Sequence, residues 1–238
     1  MLLTPYGLRE WLIISVVAGA AVAVAAWLGW WWLLGLVVAV WLALLSFFRD
    51  PWRRVPADLP PGTMLSPADG TVSAVFTVDE HEATGGPAQV IRIFLSVLNV
   101  HVNRAPYDVE VVALEHTPGQ YLNAQTEESS RVNENMLITL RLPSGELMGV
   151  RQIAGMVARR IVCPLTPGDR LERGQKFGMI KFGSTAEVIL PRPADVTVNV
   201  TKGQKVRGGL TLLATLAMPA SNSSSAGTGT RVGTEVPA

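Results

Sequence analysis

The chain has 238 residues, room for one sizeable domain, and its 20 Lys and Arg against 19 Asp and Glu leave a formal net charge of +1. That balance excludes a strongly basic, whole-surface nucleic-acid binder, so no nucleic-acid partner is expected. Charged residues make up 16% of the chain, yet Trp11 to Phe48 contains none, and all seven Trp lie at or before Trp52, which argues against a purely soluble protein.

In chain order the apolar front comes first. One helix from Trp11 to Phe48 would run about 57 Å at 1.5 Å per residue, far beyond the roughly 30 Å of a bilayer core. The stretch is better divided near Trp27-Leu28-Gly29-Trp30, because Trp favours the membrane interface and Gly can turn. Each arm then has about 17 residues, at the short end of the spanning range. Arg9 precedes the stretch and Arg49, Arg53 and Arg54 follow it. Both flanks are positive, so a hairpin in the cell membrane with the body in the cytoplasm is expected. Spanning and re-entrant hairpins both fit, since Trp30-Trp31-Trp32 also suits the headgroup layer. Ala23-Val24-Ala25 has the form of a signal-peptide cleavage site, but the apolar run continues well past it. The lone Cys163 allows no intrachain disulfide.

Residues 1–48 are thus read as a hairpin domain and 49–218 as a catalytic domain, joined by a connector with Asp50-Pro51 and Pro56 to Gly62. From Met64 onward, short β-like runs alternate with turn residues. Thr71–Val78, Gln89–Leu98, Val109–Leu114, Met136–Leu142, Leu147–Ile153, Met179–Lys181, Glu187–Leu190, Val196–Val200 and Leu210–Ala217 read as strands. Asn123–Asn133 and Gly155–Arg160 have weak helical texture. The expected fold is mainly β, of sandwich or barrel type, with an N-terminal α-helical hairpin. Val198–Leu213 resembles the hairpin text of biotinyl-like barrel-sandwich folds. Residues 219–238 are Ser-, Gly- and Thr-rich and are expected to be disordered.

Few residues can carry chemistry. The three His show no metal-ligand spacing, so no metal is expected. There is no phosphate-binding Gly loop and no G-x-S-x-G elbow. Asp69 sits in Ser66-Pro67-Ala68-Asp69-Gly70, which also reads as a turn. His101 follows an apolar strand and fits either a structural or a catalytic role. His81 lies in a polar loop, and His116 stands beside Pro118-Gly119. Arg159 and Arg160 flank an apolar run and suit either the surface or a phosphate. Gly183-Ser184 reads as a turn, or as the pair needed for an N→O acyl shift, in which a serine hydroxyl attacks its own preceding carbonyl.

Taken together, these segments resemble the phosphatidylserine decarboxylases, in their short prokaryotic form. The resemblance covers about Phe47 to Leu213. It rests on Phe47-Phe48-Arg49-Asp50-Pro51, Ser66 to Gly70, Val100-His101-Val102-Asn103-Arg104-Ala105-Pro106 and Pro118-Gly119-Gln120-Tyr121-Leu122-Asn123-Ala124. Asn133-Glu134-Asn135, Gln152-Ile153-Ala154-Gly155 with Ala158-Arg159-Arg160, and Gly178 to Ser184 complete it. The resemblance implies a proenzyme cleaved between Gly183 and Ser184 into a β chain, 1–183, and an α chain, 184–238. It implies a pyruvoyl group made from Ser184 that forms a Schiff base with phosphatidylserine, yielding phosphatidylethanolamine and CO2. His101 would be the acid/base and Asp69 would orient it. Arg104, His116, Arg159 and Arg160 are candidates for substrate binding. Longer members of the family carry a second His three residues after the first; here that position is Arg104. Two other readings stay open: a membrane-tethered Asp69-His101-Ser184 hydrolase, and a non-enzymatic membrane-anchored biotinyl-like adaptor.

Overall fold

A computed structural model describes residues 2–122, 132–155, 160–181 and 183–217. The chain opens with α1 (Leu8–Trp27), turns, and returns as α2 (Trp31–Phe47). The turn falls at the expected place, with Gly29 at φ +69°, a left-handed conformation that costs glycine little. Ser15 Oγ donates to the Trp11 carbonyl at 2.7 Å and accepts from Trp41 Nε1 at 3.1 Å, pinning one helix to the other. Neither helix has a polar face, and Val16, Val17, Trp27, Trp31 and Trp32 all stand exposed. A helix apolar all round is a membrane or deep-core element, and this pair is not in the core. Pro5–Trp27 is long and apolar enough to cross a bilayer, while α2 is a shorter apolar helix.

The body is built of antiparallel strands: β1 (Thr63–Leu65), β2 (Gly70–His81), β3 (Gly86–Leu95), β4 (Val102–Arg104), β5 (Val109–Thr117), β6 (Asn135–Arg141), β7 (Leu147–Ile153), β8 (Ile161–Val162), β9 (Arg170–Leu171), β10 (Lys176–Ile180), β11 (Ser184–Pro191), β12 (Val196–Val198), β13 (Lys205–Val206) and β14 (Leu212–Leu216). The large sheet runs β13-β2-β3-β11-β7-β6-β5-β9; two three-stranded sheets, β1-β14-β12 and β4-β10-β8, accompany it. This is the mainly β body with a helical hairpin that the sequence predicts. All nine predicted strands are present, Leu147–Ile153 with the expected bounds and the other eight with shifted ends. β1, β4, β8, β9 and β13 are additions of two or three residues, too short to show a period. Both weakly helical segments fall largely on 123–131 and 156–159, and the tail on 218–238, outside the described residues.

β11 is central and buried along its whole length. Directly opposed residues in an antiparallel pair share a face. Ala186, Val188 and Leu190 therefore face inward with Ile93 and Ile91 of β3 and with Gln152, Val150 and Met148 of β7. This inner face carries the main core. Ile189 turns the other way, onto a smaller cluster with Ala88, Val90 and Leu137. On that outer face Glu187 stands between Arg92 and Arg151 in register, accepting from Arg92 Nε at 2.7 Å. Hairpin and body meet where α2 ends. Phe47 and Phe48 pack with Met179, Val162, Tyr6 and Trp11, and Leu3 bridges to Arg49.

Candidate active site

The end of β11 nearest the hairpin gathers the chemistry. β11 begins at Ser184, opposite Leu95 on the inner face, and Ser184 is fully buried. Among the described residues its Oγ has no hydrogen-bond partner. A buried hydroxyl without a partner costs about 1–3 kcal/mol, so it marks a position kept for something other than stability. Gly183, just before it, has φ +62° and open space where a Cβ would stand. Backbone conformation, not crowding, is therefore what calls for glycine there.

His101 arrives from the turn after β3. It is fully buried, and its backbone carbonyl accepts from Ile180 N at 3.3 Å. Nδ1 lies 2.9 Å from the Asn99 carbonyl. A carbonyl only accepts, so Nδ1 carries the proton and Nε2 presents a lone pair. Nε2 in turn accepts from the Gly183 backbone N–H at 3.4 Å. The base thus points at the residue whose carbonyl would be attacked. Burial pushes the imidazole down to about 4; the Arg49 charge adds to this, while the bond to Asn99 and the Asp69 carboxylate oppose it. At neutral pH the ring is uncharged and able to accept a proton. The Phe47 ring covers it at 4.3 Å between centroids, so the last residue of α2 forms part of the site wall.

Asp69 is in the neighbourhood, but its hydrogen bonds go elsewhere. Its two oxygens accept from Arg53 at 2.5 and 2.7 Å, and Oδ1 also accepts from Gly208 N at 2.8 Å. The Asn99 carbonyl, not Asp69, sets the orientation of the His101 ring. What reaches the imidazole from Asp69 is its field, which favours the protonated form.

Two further buried polar side chains complete the interior. Gln152 opposes Ala186 on the inner face, one diagonal step from Ser184, and diagonal neighbours lie within reach of long side chains. Its Nε2 donates to Asn103 Oδ1 at 2.8 Å, and Asn103 Nδ2 donates to the Pro67 carbonyl at 3.4 Å. Gln152 Oε1, like Ser184 Oγ, is buried with no partner among the described residues. The sequence carried a signal for Gln152, since an amide occupies an inward position between Val150 and Ala154 on an alternating strand.

The candidates for substrate binding separate. Arg104 is buried and committed to the protein: it donates to the Gly174 carbonyl at 2.9 Å and the Pro51 carbonyl at 3.4 Å, and lies 3.7 Å from Asp50. These contacts fasten the connector to the body. His116 pairs with Glu134 at 3.0 Å on the surface, on the same rung as Ala186 but three strands away, about 14 Å at sheet spacing. Arg159 lies outside the described residues. Arg160 is exposed and lines a cavity of about 290 Å³ with Tyr6, Arg9, Glu10 and Lys181. Lys181, two residues before Gly183, pairs there with Glu10 at 2.5 Å.

Fold and site define a β-rich enzyme body set on the foot of an apolar helical hairpin, with a Gly-Ser junction whose serine is buried, faced by a neutral histidine. Comparison with known proteins places it further. Residues 42–214 match the family described as phosphatidylserine decarboxylase. A phosphatidylserine decarboxylase proenzyme of Rhodopirellula baltica is 41% identical over 211 residues, covering 87% of this chain and 85% of the relative. Proenzymes of the same name from Carboxydothermus hydrogenoformans and Symbiobacterium thermophilum are 42% and 44% identical. The former match covers 86% of this chain and 94% of the relative, the latter 78% and 85%. The chain belongs to the phosphatidylserine decarboxylase family, a family of enzymes made as proenzymes.

Proposed function

We propose that this chain decarboxylates phosphatidylserine to phosphatidylethanolamine and CO2 at the membrane surface, after cutting itself between Gly183 and Ser184. The observation that carries this reading is the buried Ser184 hydroxyl, without a partner among the described residues, next to a positive-φ glycine whose N–H meets His101 Nε2. His101 takes the hydroxyl proton, and Ser184 Oγ attacks the Gly183 carbonyl, exchanging the amide for an ester and freeing the Ser184 nitrogen. Gln152 Oε1, likewise buried without a partner among the described residues, lines the pocket one diagonal step from that hydroxyl. Elimination across Cα–Cβ releases a chain ending in the Gly183 carboxylate; water then replaces the nitrogen, which leaves as ammonia. The attack is intramolecular, and effective molarities of roughly 10⁵–10⁸ M are available to well-oriented groups.

The residues present fit a pyruvoyl group at position 184, bounded by Gln152, His101 and the end of β11. That group supplies a ketone for the serine amine and a sink for the electron pair left by CO2. His101 returns a proton to the substrate carbon. Arg160, with Arg9 and Lys181 around the cavity at the hairpin foot, meets the lipid phosphate. Asp69 holds Arg53 and the connector while its charge tempers the depression of the His101 pKa. The working enzyme is a heterodimer of its own β and α chains, with the hairpin in the cell membrane and the body on the cytoplasmic side. An Asp-His-Ser hydrolase is not favoured, since Asp69 is engaged by Arg53 and Ser184 is fully buried.

Intact-mass analysis tests the proposal. It predicts a 1–183 chain and a 55-residue 184–238 chain whose N-terminus is a ketone rather than an amine. Ser184→Ala leaves one inactive chain. Cleavage of that variant at 183, or a free amine on residue 184 of the native enzyme, refutes the mechanism.

A further inference from the structure

The turn that leads from β3 to His101 has an unusual tip. Ser96 to Asn99 is tightly closed: Asn99 N donates to the Ser96 carbonyl, and Asn99 Oδ1 accepts from both Ser96 N and Ser96 Oγ, each at 2.9 Å. Turn tips in water favour Gly, Asn, Asp, Ser and Pro. Here the tip is Val97 and Leu98, 50% and 80% exposed. A closed turn cannot fold these side chains inward. Arg49 fixes its position, with Nη1 donating to the Ser46 carbonyl at 2.8 Å and Nη2 donating to the Leu98 carbonyl. One guanidinium thus ties the apolar tip to the end of α2, where the apolar hairpin runs out. Trp52, 72% exposed three residues further on, carries Arg54 over its ring at 5.2 Å. An exposed aromatic with cations beside it suits the headgroup layer.

We propose that the Ser96–Asn99 turn is a second membrane contact, with Val97 and Leu98 inserted into the surface of an anionic lipid bilayer beside the hairpin foot. The occupant is the bilayer because Arg49 ties the apolar tip to the end of the apolar hairpin, with the exposed Trp52 and Arg54 beside it. The inference rests on the membrane reading above. It extends that reading in one respect: the opposite end of the turn is Asn99, whose carbonyl orients the His101 ring. Bilayer contact at the tip thereby fixes the depth of the base relative to a lipid headgroup.

The test uses the full chain in phosphatidylglycerol-containing vesicles, with Cys163→Ala and an environment-sensitive fluorophore on Leu98→Cys. Ser144→Cys, in the exposed β6–β7 turn at the far end of those strands, is the aqueous reference. The expected result is a blue-shifted Leu98 probe, quenched by lipids bearing a shallow nitroxide and shielded from iodide, while the Ser144 probe is open to iodide. A Leu98 probe as open to iodide as Ser144, in vesicles where nitroxide lipids quench the hairpin tryptophans, overturns the proposal and leaves the hairpin reading standing. Absence of tryptophan quenching overturns both. A blue shift without nitroxide quenching means a protein partner, such as a second copy of this chain, and also overturns it. As an independent check, the Val97→Asp/Leu98→Asp variant loses about tenfold in turnover of vesicle phosphatidylserine. Its self-cleavage and its turnover of a short-chain, monomerically dispersed phosphatidylserine stay within about twofold of the parent. Equal loss on both substrates contradicts the membrane role.

Discussion

Acidification is the perturbation that most directly probes the precursor. His101 is held at about 4, chiefly by burial, against 6.5 for an ordinary imidazole. At pH 5.5 a histidine titrating at 6.5 is about 90% protonated, whereas one at about 4 is only about 3% protonated. If neutral His101 takes the Ser184 proton, self-cleavage should fall by less than about 10% between pH 7.5 and 5.5 and fail only as pH approaches 4. An unperturbed base would lose about tenfold over the same interval. The same shift has a thermodynamic sign. The folded value lies below the unfolded one, so the contribution is fully present above about 6.5 and is lost as pH falls from there to about 4. Its size is about 3 kcal/mol at most. Precursor made by cell-free translation, moved to each pH and resolved on gels, gives the cleavage rate. Urea unfolding of uncleavable Ser184→Ala, with and without His101→Phe, isolates the stability term from the carboxylates. A cleavage midpoint near 6.5, or identical pH slopes for the two uncleavable chains, refutes the assignment of His101 as a buried neutral base.

Three other outcomes follow from the geometry. Asp69→Asn leaves Arg53 nearly buried without its counter-charge and should cost about 3–5 kcal/mol in denaturant unfolding of the Ser184→Ala precursor, whereas Asp69→Leu with Arg53→Met recovers most of it; equal losses would mean the pair is not the reason. Gln152→Met keeps the volume but removes both the acceptor near Ser184 and the donor to Asn103, so the precursor half-life should lengthen about three- to tenfold while stability falls by about 1–3 kcal/mol; an unchanged half-life removes Gln152 from the site. Glu187→Gln removes the charge between Arg92 and Arg151 on the outer face, lowering stability by about 2–4 kcal/mol with self-cleavage per folded molecule unaltered, as scored by unfolding and gel assays on the same preparation.

The helical hairpin was legible in the sequence because it depends on local composition: 38 charge-free residues cannot form one helix in a bilayer, and Gly29 among tryptophans supplies the turn. The long strands were legible from alternation. β11 was only half legible, because its first residues, Ser184, Thr185 and Ala186, have neither size nor period to mark a strand. They join one through pairing with β3 and β7, which is a long-range property. The same limit applies to the site. Ser184 and His101 stood out by residue type and by resemblance. The partners of Asp69 and Arg104 did not, because Arg53, Gly208, Gly174 and Asp50 are brought to them from distant parts of the chain. A buried arginine and a substrate-binding arginine look alike until their acceptors are known.

The connector explains why so many charges are used for anchoring rather than chemistry. Between Phe48 and Gly62 the chain has no strand or helix, yet it must carry the hairpin at a fixed height over the site. Asp50 receives Lys176 at 2.6 Å and lies beside Arg104, while Arg53 is clamped by Asp69 and the Gly208 carbonyl. Each pair joins the connector to a different part of the body: β10, β4, the turn before β2, and the turn after β13. Loosening any one of them would let Phe47 move off His101, and with it the burial that keeps the imidazole neutral. On the proposed reading, the apolar hairpin and the His101 base are one mechanical unit. If the proposed mechanism holds, the hairpin does more than bring the body to lipid: Phe47, the last residue of α2, maintains the low dielectric around His101 in which the self-cleavage would run.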